Sequence, residues 1–271
     1  MLNRIIEAEK PDYIAVTFDL KGPTFRHRIY EEYKINRKPM PDELVSQLEP
    51  IKKILSYYNI MIFEKEGFEA DDVLATISKR LSAGNLVDIY IVTGDKDILQ
   101  LVDNNIRVYN THKDGLIYDI ETVKRDFGVE PTGITDLIAL MGDSSDNIPG
   151  VPGIGHKTAV SLLEEFGSLE NLFSNIEKLR NERIKCILKE NKDKAFLSRE
   201  LAISRFDVPV DFKLDDMRIK EPDKGSLFRI FKELEFKSLL KDFAPGQEEE
   251  ELNYRLISTK KDFDDFLKKL K

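Results

Sequence analysis

The sequence predicts an α/β domain built on a parallel sheet, followed by an all-α region. Residues 13–18 (YIAVTF) and 87–93 (VDIYIVT) are short runs of β-branched and aromatic side chains, which are typical of buried parallel strands. Apolar stripes at helical spacing lie between these runs, at 43–57 and 72–81. Beyond residue 119 the pattern is helical, so we expect α/β structure to give way to all-α structure near 115–119.

The remaining elements follow in chain order. Two short strands are expected at 107–109 and 116–118, around a Lys-Asp-Gly turn. The strand and helix expected at 254–257 and 262–270 are too little to fold alone. The predicted domains are therefore 1–116, 117–244, an acidic linker at 245–252 and an incomplete further domain at 253–271. The helices expected in the second domain are 121–127, 134–141, 157–166, 169–173, 182–189 and 194–203.

Composition describes a globular chain of ordinary polarity. Its 271 residues suffice for one large or two ordinary domains, and no apolar run approaches the roughly 20 residues of a membrane helix. The first residues lack signal-peptide architecture, and the single cysteine, Cys186, cannot form an internal disulfide. We therefore expect a cytoplasmic protein with no membrane partner.

Eight carboxylates at strand ends, helix starts and one turn are the candidate metal ligands. Asp19 and Asp95 follow the two predicted strands, at the sheet edge where α/β proteins bind ligands. An acid at a helix start stabilises the helix by about 0.3–1 kcal/mol through capping and the helix dipole, but the three acids at 69–72 are more than these effects can use. Crowded carboxylates need divalent cations, and oxygen donors without Cys or His fit Mg²⁺ or Mn²⁺. The eight residues are Asp19, Glu69, Asp71, Asp72, Asp95, Asp97, Asp143 and Asp146.

A basic segment at 24–38 (TFRHRIYEEYKINRK) is the first candidate for contact with nucleic acid. Arg26, Lys34 and Arg37 alternate there with aromatic residues such as Tyr33, and Tyr33 and Arg37 share a face at helical spacing. Basic and aromatic side chains together are what single-stranded nucleic acid binding uses, although a solvated helix explains this segment equally well. The net charge of −8 does not exclude a polyanion, because the eight candidate metal ligands account for it.

Residues 141–159 (MGDSSDNIPGVPGIGHKTA) combine acids with a Gly-rich turn that opens a helix. Backbone N–H groups of such a turn suit a phosphate oxygen, so Gly153, Gly155, Lys157 and Thr158 are candidate phosphate contacts. A P-loop is excluded because His156 interrupts its Gly-Lys-Ser/Thr run, and a plain loop between helices stays an alternative. Acids that suit a metal beside amides that suit a phosphate indicate a phosphodiester substrate.

Four motifs, TFDLKGPTFRH, EADDV, TGDKD and MGDSSDNIPGVPGIGHKTA, together resemble one family in their order and spacing. They are similar to the 5′ nuclease domain of bacterial DNA polymerase I, whose family includes phage 5′-to-3′ exonucleases and flap endonucleases. The resemblance covers roughly residues 1–243. It implies a PIN-like α/β nuclease domain followed by a SAM-like helical domain with a helix–three-turn–helix.

The resemblance also implies roles for the candidate residues. All eight carboxylates become metal-site residues, and Asp19, Lys34 and Arg37 become the candidate catalytic residues. Tyr33, Lys34 and Arg37, with Arg26 nearby, fall on the arch through which a 5′ strand passes. The turn at Gly153, Gly155, Lys157 and Thr158 would grip duplex backbone, where the family also binds K⁺.

The implied activity is hydrolysis of DNA and RNA-primer phosphodiesters by two Mg²⁺ or Mn²⁺ ions about 4 Å apart. Expected substrates are DNA with a 5′ flap, nick or 5′ end, and RNA/DNA primer junctions, in replication and repair. Lys34 and Arg37 would stabilise developing phosphate charge. We expect a monomer, joined in one polypeptide to polymerase domains where it is part of DNA polymerase I.

Two alternatives remain. In the family a first strand ending in Asp-Gly precedes the segments seen here, so a catalytically impaired DNA-binding remnant that lacks this metal ligand is the second reading. A Toprim-like phosphoryl transferase is the third, because Asp95-Lys-Asp97 alone is a weak signal. The arrangement at 141–159 weighs against the third reading.

Overall fold

The computed structural model describes residues 2–113, 115–243 and 259–269. It contains two compact units: the chain up to Ser56 with Ile60–Ile219, and Tyr57–Asn59 with the described residues from Lys220 onward. The predicted linker at 245–252 and strand at 254–257 lie outside the described residues. The domain boundaries expected at 116 and 244 stay predictions. No helix in the described part of the chain is long and apolar enough to cross a membrane.

The first unit carries its strands in two sheets, whereas the sequence suggested one. One is a parallel pair in which Val16 lies opposite Ile62, and the other joins three strands in a parallel and then an antiparallel pairing. The short strand after the first long helix was not predicted, because three residues are too few for a periodic signal. The strands are β1 (Ala15–Thr17), β2 (Met61–Phe63), β3 (Ile89–Val92), β4 (Ile106–Asn110) and β5 (Leu116–Tyr118).

Helices occupy most of the remaining chain in the first unit. The sequence predicted most of them within a few residues, but the basic segment is helical only at its start. Single turns of 3₁₀ helix lie at Pro131–Gly133 and Ile176–Lys178, and longer ones at Asp97–Leu101 and Leu214–Met217. The α-helices are α1 (Leu2–Glu9), α2 (Phe25–Ile29), α3 (Asp42–Tyr57), α4 (Ala70–Ser82), α5 (Ile120–Phe127), α6 (Ile134–Met141), α7 (His156–Phe166), α8 (Leu169–Ser174), α9 (Glu182–Glu190) and α10 (Lys192–Ala202).

The buried helix α6 lies at the centre of the core. Its residues from Ile134 to Leu140 are all buried, and the polar Asp136 among them accepts a hydrogen bond from Leu169 N at 2.9 Å. It packs against α7 and α10, and its cluster extends to the buried face of β3 and β4 through Ile91, Ile106 and Val108. The acidic turn therefore begins at the end of a helix that is packed on all sides.

Two glycines bring the ends of that turn together. Gly142 ends α6 with φ 77°, and Gly150 has φ 59°, both in the left-handed region. A Cβ on Gly150 would overlap the backbone of Met141 and Gly142. The Gly150 N–H donates to the buried Ser198 Oγ of α10 at 2.9 Å. These contacts hold Gly142 and Gly150 together. Residues 143–148 lie between the two glycines, and the turn before α7 follows Gly150.

Three further helices lie in the described residues of the second unit. Asp223 caps the first of them by accepting from Ser226 N at 3.0 Å, and its own N–H donates to Tyr57 O at 2.7 Å. The ring of Phe243 lies 5.4 Å from that of Phe231 and 5.8 Å from that of Tyr58. The helices are α11 (Lys224–Glu233), α12 (Lys237–Phe243) and α13 (Lys260–Lys269).

Candidate metal centre and nucleic-acid interface

The N-terminus of α4 gathers the first group of acids. Asp19, just beyond β1, accepts a hydrogen bond from Ala70 N at 2.7 Å through Oδ1. Glu69 precedes the helix in an extended conformation, and Asp71 lies in its first turn. Because the end of β1 meets the start of α4, residues 50 positions apart in sequence form one acidic cluster, as predicted.

Asp72, the next residue of α4, is instead paired with a basic side chain. Its carboxylate is fully buried and accepts from both terminal nitrogens of Arg26, at 2.7 and 2.8 Å. It also accepts from Glu69 N at 3.1 Å and from Arg205 N at 2.9 Å. Four hydrogen bonds saturate its oxygens, so the structure favours a structural role over the metal ligation expected from the sequence.

Arg26 is the other half of this buried pair. Beyond Asp72, its Nε donates to Leu201 O at 2.8 Å and its Nη2 to Ile203 O at 2.9 Å. Only 4% of the residue is exposed. A DNA phosphate could reach this guanidinium only if these bonds broke, so its geometry favours joining α2 to the C-terminus of α10 over the expected contact with DNA.

The second acidic group follows β3. Asp95 Oδ1 accepts a hydrogen bond from Asp97 N at 2.9 Å, and the backbone N–H of Asp95 donates to Thr93 Oγ1 at 3.1 Å. These bonds turn the chain so that Asp97 begins a 3₁₀ helix. The Oδ1 atom of Asp97 is buried and has no hydrogen-bond partner among the described residues. A buried, unpaired carboxylate oxygen is costly unless a cation or proton compensates it.

The acidic turn after α6 supplies the third group. Asp143 and Ile148 form an isolated antiparallel bridge, which closes the turn. Asp143 Oδ1 accepts from Ser145 N at 2.9 Å and from Ser145 Oγ at 2.5 Å, and its Oδ2 lies 3.2 Å from Lys96 Nζ. Burial alone would raise the pKa of Asp143, but the Ser145 and Lys96 contacts hold that pKa below its usual value. Asp146 is buried at 7% exposure.

The basic segment lies against these acids, but its second half is not helical. The helix ends at Ile29, and residues 31–37 form turns in which Lys34 has φ 57°. Lys34 N donates to Asp146 O at 2.9 Å, so a contact distant in sequence replaces the next helical hydrogen bond. The expectation that helical spacing places Tyr33 and Arg37 on one face was therefore wrong about the backbone.

The side chains of this segment nevertheless reach the acidic cluster. The buried Tyr33 hydroxyl lies 3.2 Å from both Glu69 Oε2 and Asp146 Oδ2. Burial and the charge of Glu69 raise the pKa of Tyr33, which keeps the hydroxyl protonated. Lys34 Nζ is 2.7 Å from Glu69 Oε2, and Arg37 forms an ion pair with Asp146 Oδ1. Three residues expected to contact DNA thus contact carboxylates here.

One crevice brings together acids of all three groups, although Asp19 and Asp143 do not line it. It is lined by acids from the α4 start, the β3 end and the acidic turn, together with Tyr33 and Arg26. Burial and then the charge of Asp95 raise the pKa of Asp71 to about 7 and that of Asp97 to about 8. Asp19 adds to the effect on Asp71, and Asp143 to that on Asp97. The crevice acids are Glu69, Asp71, Asp95, Asp97 and Asp146.

The donors of this crevice fit a hard divalent cation in their chemistry. They are carboxylate oxygens with excess negative charge, and the unpaired Asp97 oxygen would gain a partner. Among residues 2–113, 115–243 and 259–269, however, no three acidic, His or Cys side chains are already arranged to hold a metal ion. Lys34, Arg37 and Lys96 instead neutralise Glu69, Asp146 and Asp143.

The Gly-rich turn before α7 forms an exposed loop on buried anchors. Val151 and Ile154 are buried, whereas Gly153, Gly155 and Lys157 are exposed. Gly153 has φ 84°, and Gly155 is the N-cap of α7, where an added Cβ would meet no atom within 4 Å. Thr158 lies half-buried in the first turn. The first N–H groups of a helix have no acceptor within that helix, so the exposed start of α7 suits a phosphate contact.

Sequence reasoning missed two residues that shape the site. Lys96 lies between the two acids of TGDKD, and its position beside them was the available signal. Asn147 has φ 55°, donates to Glu32 O at 2.7 Å and accepts from Asn36 Nδ2 at 3.0 Å. No local pattern reveals that these asparagines join two segments more than 100 residues apart.

Residues 1–128 match the family model described as 5′-3′ exonuclease, N-terminal resolvase-like domain. Residues 129–226 match that of 5′-3′ exonuclease, C-terminal SAM fold. The T5 5′-exonuclease, solved with bound zinc, has a similar fold at TM-score 0.63 and 21% identity, over 89% of this chain and 87% of that one. The catalytic core of Rad2 in complex with DNA follows at TM-score 0.56 and 18% identity, over 84% and 77%. The predicted nuclease-type α/β domain followed by a SAM-like helical domain is thus confirmed.

Relatives by sequence define the family. The chain is 41% identical to a 5′-3′ exonuclease of Aquifex aeolicus, over 89% of this chain and 82% of that protein. It is 46% identical to DNA polymerase I of Caldicellulosiruptor bescii, over 88% of this chain but 28% of that protein. The chain belongs to the 5′-3′ exonuclease family, as its motifs predicted. It spans less than a third of the DNA polymerase I relatives that it matches.

Proposed function

We propose that this chain is a metal-dependent 5′-3′ exonuclease and flap endonuclease. The observation that carries the proposal is the crevice lined by five carboxylates from three separate segments, one of which, Asp97, has a buried oxygen without a hydrogen-bond partner among the described residues. Carboxylates crowd in this way where a bound cation compensates them. Family membership then selects phosphodiester hydrolysis among the reactions that such a centre supports.

The proposed metals are two Mg²⁺ or Mn²⁺ ions. The proposed ligands are the five crevice acids, Glu69, Asp71, Asp95, Asp97 and Asp146, together with the neighbouring Asp19 and Asp143. When bound, the ions supply a water nucleophile at neutral pH and neutralise charge on the phosphate. Asp72 is left out of the proposed set, since Arg26 occupies its oxygens.

The chain's own residues supply the rest of the chemistry. Tyr33, buried between Glu69 and Asp146, fixes two carboxylates that would otherwise repel each other. Lys34 and Arg37 carry positive charge at the edge of the crevice, where it can stabilise the developing charge of a phosphoryl group. Their contacts would be to the backbone and not to bases, so recognition depends on the shape of the junction.

The turn at Gly153, Gly155, Lys157 and Thr158 is the proposed grip on duplex backbone, with K⁺ as a further ligand of this turn. Proposed substrates are DNA with a 5′ flap, nick or 5′ end, and RNA/DNA primer junctions. T5 flap endonuclease in a DNA and metal-ion complex shares this fold at TM-score 0.63 and 20% identity. Polymerase domains in the same polypeptide are the proposed partners, after the DNA polymerase I relatives.

Cleavage of a labelled flap duplex tests the proposal. With Mn²⁺, a 5′-flap substrate should give 5′-phosphorylated mononucleotides or short flaps, while a matched 3′-flap substrate with blocked 5′ ends stays intact. Asp95→Ala should abolish cleavage, because Asp95 belongs to the crevice, and circular dichroism checks its folding. Tight flap binding by the wild-type chain without any cleavage would refute the proposed activity and support the non-catalytic DNA-binding alternative.

A further inference from the structure

The acidic crevice and the basic segment neutralise each other in this structure. Lys34 Nζ lies 2.7 Å from Glu69 Oε2 and 3.5 Å from Asp146 Oδ2. Arg37 pairs with the second oxygen of Asp146. The proposed function gives both sides other partners, since the carboxylates would face metals and the cations would face phosphate.

These two sets of contacts exclude each other. The side chains of Glu69 and Asp146 are only 11% and 10% exposed, so few of their oxygen lone pairs are open to a second partner. A divalent cation and an ammonium group on the same oxygen would also repel each other. The carboxylates can therefore take the metal only as the side-chain cations withdraw.

We propose that Lys34 and Arg37 are exchangeable counter-ions, which occupy Glu69 and Asp146 in the metal-free protein and leave them when divalent metal binds. The inference rests on the proposed function, because it takes the crevice as the metal centre. Arg37 is half-exposed and Lys34 is 19% exposed at the side chain, so both cations have a route to solvent.

The backbone of the segment stays in place during the exchange. Lys34 N donates to Asp146 O at 2.9 Å, and Asn147 bonds to both Asn36 and Glu32. None of these bonds uses a carboxylate oxygen, so a metal does not compete for them. Tyr33, at 3% exposure, anchors the segment in the core. Only the two long side chains need to move.

The exchange couples metal binding to strand binding. While paired with carboxylates, Lys34 and Arg37 are unavailable to a phosphate; once released, they remain tethered at the edge of the metal centre. A metal therefore uncovers the cations that hold its substrate, and by linkage a bound strand favours the metal. The metal-free protein keeps these cations paired.

Acetylation of lysines, read by mass spectrometry, follows the exchange directly in the wild-type chain. Lys34 should react about fivefold faster in Mg²⁺ than in EDTA, because the partly buried ion pair that protects its amine is lost when the metal binds. A factor of about five corresponds to an ion pair of about 1 kcal/mol. The exposed Lys38, four residues along, is the internal control and should react equally in both. Equal Lys34 rates with and without metal would overturn the inference.

Calorimetric titration with Mn²⁺ gives the second measurement. Lys34→Gln should bind Mn²⁺ roughly fivefold more tightly than wild type, because a competing cation is gone, whereas the charge-matched Lys38→Gln should not. Weaker binding by Lys34→Gln would also overturn the inference. If wild type takes up no Mn²⁺, the proposed metal centre fails and the inference with it. If Mn²⁺ binds while Lys34 reactivity is unchanged, only the inference fails.

Discussion

The buried Arg26–Asp72 pair supports a stringent prediction, because it separates a structural acid from its metal-site neighbours. Asp72→Asn keeps the shape of the side chain but removes its charge. The Asp72 oxygen that accepts from Arg26 and Glu69 N becomes an NH₂ group, which donates and cannot accept. Arg26 then stays buried, at 4% exposure, without a carboxylate partner. Breaking a buried ion pair in this way costs about 3–5 kcal/mol.

The cost should appear in the free energy of unfolding. Domains are stable by about 5–15 kcal/mol, so Asp72→Asn removes a large part of that and shifts the urea midpoint well below wild type. The matched control is Asp71→Asn, one residue away. Burial and neighbouring acids raise the pKa of Asp71 to about 7, so its neutralisation should leave metal-free stability at pH 8 unchanged or higher.

Urea unfolding followed by circular dichroism, in EDTA at pH 8, compares the three proteins. Calorimetry with Mn²⁺ at low temperature then measures metal binding by each folded variant. We expect Asp71→Asn to lose Mn²⁺ affinity and Asp72→Asn to lose stability. Wild-type stability in Asp72→Asn, together with lost Mn²⁺ binding, would show that Asp72 is a ligand and that the structural assignment is wrong.

Three further predictions concern the crevice, the glycine closure and the DNA grip. The raised pKa values of Asp71 and Asp97 mean that both carboxyls bind protons more tightly in the folded state than in the unfolded state. In EDTA, the stability that this adds below about pH 4 should therefore be lost as the pH rises towards 8. Thermal unfolding should show this loss, with a flatter pH profile for Asp97→Asn, and a wild-type profile without slope would contradict it. Gly150→Ala should lower the free energy of unfolding by at least about 2 kcal/mol, since its Cβ overlaps Gly142. The Cβ of Gly155→Ala meets open space, so urea unfolding should show only the smaller loss, about 0.5–1 kcal/mol, of replacing glycine by alanine at an N-cap. Binding of a fluorescent 5′-flap duplex in EDTA should weaken steeply with KCl, with a slope about one unit shallower for Lys157→Gln; a response independent of salt would rule out the phosphate grip.

Much of the site was predictable because its acids follow periodic elements. A run such as VDIYIVT indicates a strand, and the edge of a parallel sheet is where its next carboxylate must lie. This reasoning placed Asp19 and Asp95 at one crevice, but only Asp95 lines it. Asp19 lies beside the start of α4, where it accepts from Ala70 N, and β1 and β3 lie in separate sheets. The division of the strands into two sheets could not be predicted, because strands of three or four residues carry little information about which strands pair and in what register.

Orientation within a motif was not predictable. Asp71 and Asp72 are adjacent and identical in type, but their side chains leave the helix about 100° apart. Asp71 therefore lines the crevice, whereas Asp72 does not line it and is bound by Arg26. The partner of Asp72 lies 46 residues away, and no local signal marks it. The non-helical turn at 31–37 has the same origin, since Asp146 O and Asn147 determine it from a distance.

The central claim is that the crevice between α4, β3 and the acidic turn is a divalent metal centre. Anomalous diffraction from crystals of the chain grown with Mn²⁺ and a 5′-flap duplex tests it most directly. We predict manganese peaks at about 2.0–2.2 Å from oxygens of Asp71, Asp95 and Asp97, with Asp72 still bound to Arg26. Manganese found only elsewhere, with Lys34 and Arg37 still paired to Glu69 and Asp146, would contradict the claim.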